Sequence, residues 1–192
     1  MGTFTIVTQP TEFPVTLDEA KDHLRITDTD NDARIRSLIT TATNYVELYI
    51  GRVFITQTWD MWLDEFQSVI PIIKPPLQSV TSISYVDTSG DTQTISSSPI
   101  TTYDVDTDSI PGRVFLAYNE SWPNTRAIKK AVKIRFVAGY GTAEDVPEPI
   151  KQAILLMISH WYEIREPVIF GIPQIVPYSV ESLMSQYRLW TL

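Results

Sequence analysis

Residues 32–64 read DARIRSLITTATNYVELYIGRVFITQTWDMWLD, and the period of their apolar positions changes once along the stretch. Ile35, Leu38, Ile39, Ala42, Tyr45, Val46 and Tyr49 recur at three- and four-residue steps, which places them on one face of a helix. Gly51 follows as a stop, because glycine adopts the left-handed backbone that closes a helix C-terminus. Beyond it Ile55, Trp59, Met61 and Leu63 alternate with Thr56, Thr58, Asp60, Trp62 and Asp64. That is the two-residue period of a half-buried strand, with Gln57 as the polar exception on the inward side. A helix that gives way to a strand at Gly51 sets the organisation of the chain.

Toward the N-terminus the pattern stays helical. Thr16-Leu17-Asp18-Glu19 matches a capping box, in which Thr16 and Glu19 each satisfy a free backbone N–H. A short helix follows, with Leu17, Ala20 and Leu24 at helical spacing, and the polar run 27–32 ends it and caps the next. Toward the C-terminus the pattern stays extended as far as residue 141. Pro75-Pro76 breaks the chain, Val80 to Val86 is β-rich, residues 87–91 form a turn and Thr92 to Ser96 return. Val132, Ile134, Phe136 and Ala138 alternate with Lys133, Arg135 and Val137 in a last strand that Gly139-Tyr140-Gly141 closes. Helix then resumes. Pro147 and Pro149 are tolerated in a first turn, and Ile150, Ala153, Ile154, Met157, Ile158, Trp161 and Ile164 form one apolar face ended by Pro167. After the apolar, Pro-rich run Val168 to Tyr178, Ser179 is placed to cap a short helix carrying Val180, Leu183, Met184 and Tyr187.

These patterns predict an α+β fold. A small helical bundle is built from both chain ends (1–51 and 142–192), with an antiparallel β-rich insertion (52–141) between the second and third helices. No internal repeat or low-complexity segment is visible.

Composition narrows the function classes. The chain has 192 residues and a formal net charge of −8. Residues 1–51 alone carry 8 acids and 4 bases. A chain of this size buries roughly 70% of its unfolded surface, so it needs no metal or disulfide to hold a core. The absence of cysteine excludes disulfides, thiolate zinc sites and cysteine nucleophiles, and it fits synthesis in a reducing cytoplasm. The longest apolar run is far short of the ~18 residues a membrane helix needs, and the first ten residues lack the pattern of a secretory signal. The acidic balance argues against a general nucleic-acid binder, although not against a protein that encircles DNA without gripping it.

The candidate chemical motifs fail on inspection, and neither a catalytic residue, a metal ligand nor a cofactor site is predicted. Asp28, Asp30 and Asp32 resemble the opening of an EF-hand loop, but Ala33 and Ile39 stand where the turn glycine and the bidentate glutamate belong. An acidic capping turn is the preferred reading. Asp104, Asp106 and Asp108 form a second alternating trio, again better read as a loop than as a weak cation site. His23 and His160 share no ligand spacing. No G-x-S-x-G elbow or phosphate-binding glycine loop occurs. Asp64 and Glu65, adjacent on a strand, point to opposite faces and make a poor acid–base pair. Trp59 belongs to the inward face, whereas Trp62, Trp122 and Trp190 are divided between core, protein interface and a sugar-stacking platform.

Read together, several segments resemble phage head–tail connector proteins. They are Leu17-Asp18-Glu19-Ala20-Lys21-Asp22-His23-Leu24-Arg25, Tyr45-Val46-Glu47-Leu48-Tyr49-Ile50-Gly51-Arg52, Pro75-Pro76-Leu77-Gln78-Ser79-Val80-Thr81-Ser82-Ile83, Val137-Ala138-Gly139-Tyr140-Gly141, Val146-Pro147-Glu148-Pro149-Ile150-Lys151-Gln152-Ala153-Ile154 and His160-Trp161-Tyr162-Glu163-Ile164-Arg165-Glu166. The likeness runs from about residue 15 to the end, in the long form of the family that carries a β insertion. It implies a non-enzymatic adaptor in a tailed phage or a gene transfer agent, assembled in the bacterial cytoplasm and resident in the virion at the head–tail interface. It further implies a ring of about twelve copies beneath the portal protein, docking the next tail component (stopper or tail terminator). DNA would pass through the ring without specific binding, and no membrane or cofactor is involved.

The expected interface lies in the apolar C-terminal part: Trp161, Phe170, Ile172, Ile175, Tyr178, Leu183, Met184, Tyr187 and Trp190. The competing reading is a β-rich receptor- or glycan-binding module of a tail or baseplate, working through residues 52–141. A metal-dependent nuclease or hydrolase ranks last, because the acidic trios lack supporting residues.

Overall fold

The computed structural model of the chain describes residues 2–95, 102–164, 168–169, 172–173 and 178–189. They divide into two compact units: a β unit (1–10 with 56–140) and a helical unit (11–55 with 141–192).

The β unit holds β1 (Thr3–Thr8), β2 (Gln57–Leu63), β3 (Val69–Ile72), β4 (Leu77–Val86), β5 (Thr92–Thr94), β6 (Tyr103–Asp106), β7 (Gly112–Leu116) and β8 (Val132–Ala138). One antiparallel sheet has the order β1-β2-β8-β4-β5 and a second the order β3-β7-β6. Strand β8 is central, and its alternation is realised: Val132, Ile134, Phe136 and Ala138 are fully buried while Lys133, Arg135 and Val137 lie on the other face. In β2, Gln57, Met61 and Leu63 are buried and Trp59 is half-buried, opposite Ala138, Ile134, Val132 and Phe136 respectively. Ile70, Ile72 and Val114 are the buried residues of β3 and β7. Gly112 admits no side chain, since a Cβ there would lie 2.6 Å from Leu77 Cβ. Residues 3–8, grouped by sequence with the helical end, instead form the edge strand β1. They pair with residues 58–62 of β2, and Phe4 meets Phe136 edge-on at 6.3 Å.

The helical unit holds α1 (Leu17–Leu24), α2 (Asp32–Ile50), a 3-10 turn (Ala143–Asp145), α3 (Glu148–Glu163), the two-residue strands β9 (Val168–Ile169) and β10 (Ile172–Pro173), and α4 (Tyr178–Ser185). The capping box forms: Thr16 N–H donates to Glu19 Oε2 (2.6 Å) and Glu19 N–H donates to Thr16 Oγ1 (3.2 Å). Gly51, at φ 72°, ends α2 by donating its N–H to Glu47 O at 2.9 Å. Pro149 occupies the first turn of α3, and Ile150, Ala153, Ile154, Met157 and Ile158 are buried along one face of it. This face packs on Ile35, Ile39, Ala42 and Val46 of α2 and receives Val180 and Met184 of α4. Burying a large aliphatic side chain stabilises by roughly 1.5–3 kcal/mol, and this seam holds most of those buried among the described residues of the unit. Helix α4 begins at Tyr178, so Ser179 lies in its first turn rather than before it.

Candidate functional site

One carboxylate of each acidic trio shapes its own loop. Asp28 Oδ1 accepts the N–H of Asp30 at 3.1 Å. Asp106 Oδ1 accepts the N–H groups of Asp108 and Ser109, both at 3.0 Å. Hydrogen bonding to Ser109, from side chain and backbone, holds the Asp106 carboxyl below its ordinary range. Among the described residues no three His, Asp or Glu side chains converge as a metal site, and no helix is long and apolar enough to cross a membrane.

The tryptophans of the β unit have faces engaged within the chain. Trp122 stacks on Phe66 with centroids 4.5 Å apart and planes 3° from parallel, and its indole N–H donates to Gln67 O at 2.8 Å. Lys133 Nζ lies 5.5 Å above the Trp62 ring, and Lys74 Nζ 4.8 Å above Trp59. Beside Trp62 and Lys133, on the face opposite Phe136 and Trp59, Asp60 accepts two hydrogen bonds from Arg135 at 2.8 Å each. That pairing holds the Asp60 carboxyl below its usual value despite burial. It is a cross-strand pair in register, and it ties β2 to β8. A groove of about 390 Å³ in the same unit is lined by Asp64, Glu65 and Lys129 among others. Asp64 Oδ1 is already engaged there by the Lys130 N–H.

The aromatic residues of the helical unit make a different arrangement. Trp161, in the last turn of α3, meets Tyr45 edge-on at 5.9 Å. Tyr45 stacks with Tyr49 at 6.3 Å, and the Arg188 guanidinium covers Tyr49 at 4.9 Å. Burial, with Tyr49 and Glu181 close by, raises the Tyr45 phenol above its ordinary value. Tyr49, Tyr178, Glu181, Ser182, Ser185 and Arg188 border an open groove of about 360 Å³. Tyr178 is 88% exposed and Leu48, one residue before Tyr49, is 85% exposed. Singly exposed apolar side chains are ordinary on a folded surface; Tyr178 borders the groove, and Leu48 is not among its lining residues.

Of the residues expected at an interface, Trp161, Leu183 and Tyr187 are half-buried, Tyr178 is open and Met184 is buried within the unit itself. Ile172 lies in β10, where its backbone pairs with Ile169. Phe170, Ile175 and Trp190 lie outside the described residues. The exposed Leu48 and the Tyr45–Tyr49 stack were missed by sequence reasoning. The signal available was an apolar residue on the polar side of an amphipathic helix that Gly51 ends.

Helices at both ends of the chain and antiparallel sheets in its middle define an α+β protein. The sequence profile of the head completion protein family matches residues 15–188, and the chain belongs to that family. Its fold is similar to that of a chain in the neck of the empty gene transfer agent particle, computed with C6 symmetry. That chain is 21% identical, with a TM-score of 0.80 over 99% of this chain and 97% of the other. The neck of the native particle, computed with C12 symmetry, holds a similar chain at 21% identity and TM-score 0.77, with the same coverage of both chains. The virion of the native gene transfer agent gives 20% identity and TM-score 0.78, also over 99% of this chain and 97% of the other. The curated proteins hold no match to this sequence.

Proposed function

We propose that the chain is a head–tail connector of a tailed phage or phage-like particle, acting as a non-catalytic ring subunit. In this reading about twelve copies sit beneath the portal, prolong the DNA channel, and present a docking surface to the next tail component, a stopper or tail terminator. The observation that carries the reading is the family match across residues 15–188. The shared fold with neck proteins of a gene transfer agent supports it. Charge is compatible with the role: at a net −8, an acidic wall lets DNA slide, where cationic contacts would hold the phosphates.

The surface around Trp161, Tyr178, Leu183 and Tyr187, with the segment reaching Trp190, is the proposed contact with the portal or with an adjacent subunit. Closed rings require heterologous contacts, in which one patch meets a different patch of the neighbour. Truncating the chain after Pro167 tests this poorly, because it removes the buried Val180 and Met184. Tyr178→Glu changes only an exposed side chain. Mass photometry of the chain with its portal protein is the decisive experiment. The expected result is a gain of about twelve copies per portal for the native chain and loss of that gain for Tyr178→Glu. A native chain that ignores the portal overturns the connector reading.

A further inference from the structure

Among the described residues, the two sheets of the β unit leave four strand edges, and three of them are protected. β3 carries Pro71, which has no N–H to offer; β6 carries Asp104 and Asp106; β5 has only three residues and follows Asp91. β1 is the exception. It is six residues long, Thr-Phe-Thr-Ile-Val-Thr, with neither charge nor proline, and the first charged residue of the chain is Glu12. Ile6 is 36% and Val7 45% exposed. Natural sheets guard such an edge with charge, proline or a bulge, because its free N–H and C=O groups are a template for another strand. Here the one device is a register shift between Ile6 and Thr8, which leaves Thr3 to Ile6 open.

We propose that β1 is the edge at which two free copies of this chain join, antiparallel, about a two-fold axis. Strand direction selects this occupant. The five-stranded sheet is antiparallel throughout, so its outer strands β1 and β5 run the same way. Head-to-tail pairing of copies would set β1 beside the three-residue β5 in a parallel ladder. Two-fold pairing sets β1 beside β1 in an antiparallel ladder, the more stable kind. A two-fold axis normal to the sheet keeps like faces together, so Thr5 faces Thr5 of the second copy and Phe4 faces Ile6. Threonine pairs and aromatic–β-branched pairs are favourable cross-strand neighbours. No charge opposes the approach. Phe4 and Ile6 share the face of Met61 and Trp59, across from which they pair, so joining extends an apolar surface. This contact is isologous and cannot by itself close a twelve-fold ring. It describes the chain before assembly and stands independently of the connector reading.

The chain has no cysteine, so Thr5→Cys introduces a single thiol on the proposed axis. Opposed Cα atoms in an antiparallel pair lie ~4.5–5.5 Å apart, within disulfide reach. Mild oxidation of full-length Thr5→Cys is expected to yield a covalent dimer at least tenfold faster than the edge control Val69→Cys. Sedimentation of the native chain is expected to give twice 21.9 kDa, falling to the monomer on dilution. Ile6→Lys should weaken that association at least tenfold and leave the thermal midpoint within a few degrees. A native chain that sediments as a monomer at every concentration overturns the proposal, and so does a dimer that Ile6→Lys leaves intact. Loss of portal joining by Ile6→Lys in a monomeric chain also overturns it, and assigns the edge to another protein. A native dimer that ignores the portal leaves this proposal standing and removes the connector reading instead.

Discussion

Strand β8 and helix α3 each bury one apolar face, and they reach it by unlike means. β8 is held on both sides by strands distant in sequence: Met61 and Ile83 both stand opposite Ile134. α3 closes its hydrogen bonds within itself and begins where Pro149 tolerates a first turn. The β unit therefore depends on long-range partners for backbone satisfaction as well as for burial, whereas the helical unit needs them for burial alone. Substitutions in the β unit should cost more for the same loss of side chain.

The largest expected effect tests that difference directly. Phe136 and Ile154 are both fully buried. Phe136→Ala should cost about 3–5 kcal/mol; for the same loss of side chain, Ile134→Ala, also fully buried, should cost more than Ile154→Ala within about 2–5 kcal/mol, read from the urea midpoint at constant slope. Phe136 also loses its edge contact with Phe4, so the edge strand β1 should gain amide exchange in the first variant alone. Equal losses, with β1 still protected, would break the comparison.

A smaller effect separates the units by pH. Asp60→Asn removes one half of the cross-strand pair with Arg135, at a cost of about 1–2 kcal/mol near neutrality, the lower range for charged hydrogen bonds because Arg135 is open to solvent. The Asp60 carboxyl is held below its ordinary 3.8, chiefly by the hydrogen bonds from Arg135. The stability it contributes is thus fully present above that ordinary value and is lost as pH falls through the lowered folded one. Native chain and Asp60→Asn should therefore begin to converge as pH falls below 3.8 and meet only below the lowered folded value. In the helical unit the matching local device is the capping box. Thr16→Ala should cost about 1 kcal/mol, measured as a shift in thermal midpoint.

Local devices were the legible ones. The Thr16–Glu19 box, the stop at Gly51 and the apolar face of α3 depend on residues within a few positions of each other, and each formed where its pattern lies. So did β2 and β8, whose alternation is long enough to declare a period. What escaped notice is non-local or brief. β1 pairs with a strand more than fifty positions away and has no turn beside it to announce a partner. β3, β6 and β7 have four or five residues each, too few for alternation to be distinguished from chance. The Phe66–Trp122 stack joins two loops with no shared pattern. At the proposed interface, the apolar composition near the C-terminus drew attention to α4, but composition does not tell inward from outward. Val180 and Met184 turn into the core and Tyr178 turns out, a division set by how α4 lies on α3.

The smallest expected effect asks whether one cation over one ring is worth the same in both units. Lys133 lies 5.5 Å above Trp62 on a strand, and Arg34 lies 5.1 Å above Tyr162 on a helix. Exposed contacts of this kind contribute about 0.5–1 kcal/mol, and Lys133→Ala should fall at the lower end. Arg34 does more, because its Nη2 donates to the carbonyl of Tyr162 at 3.3 Å. That carbonyl belongs to the last turn of α3, where backbone acceptors have no partner within the helix. Arg34→Ala should therefore cost about twice as much as Lys133→Ala, and Arg34→Lys should recover part of the ring contact without the forked donor. Paired thermal melts decide it. Equal losses at the two positions would mean that the carbonyl at the end of α3 is served as well by water as by Arg34.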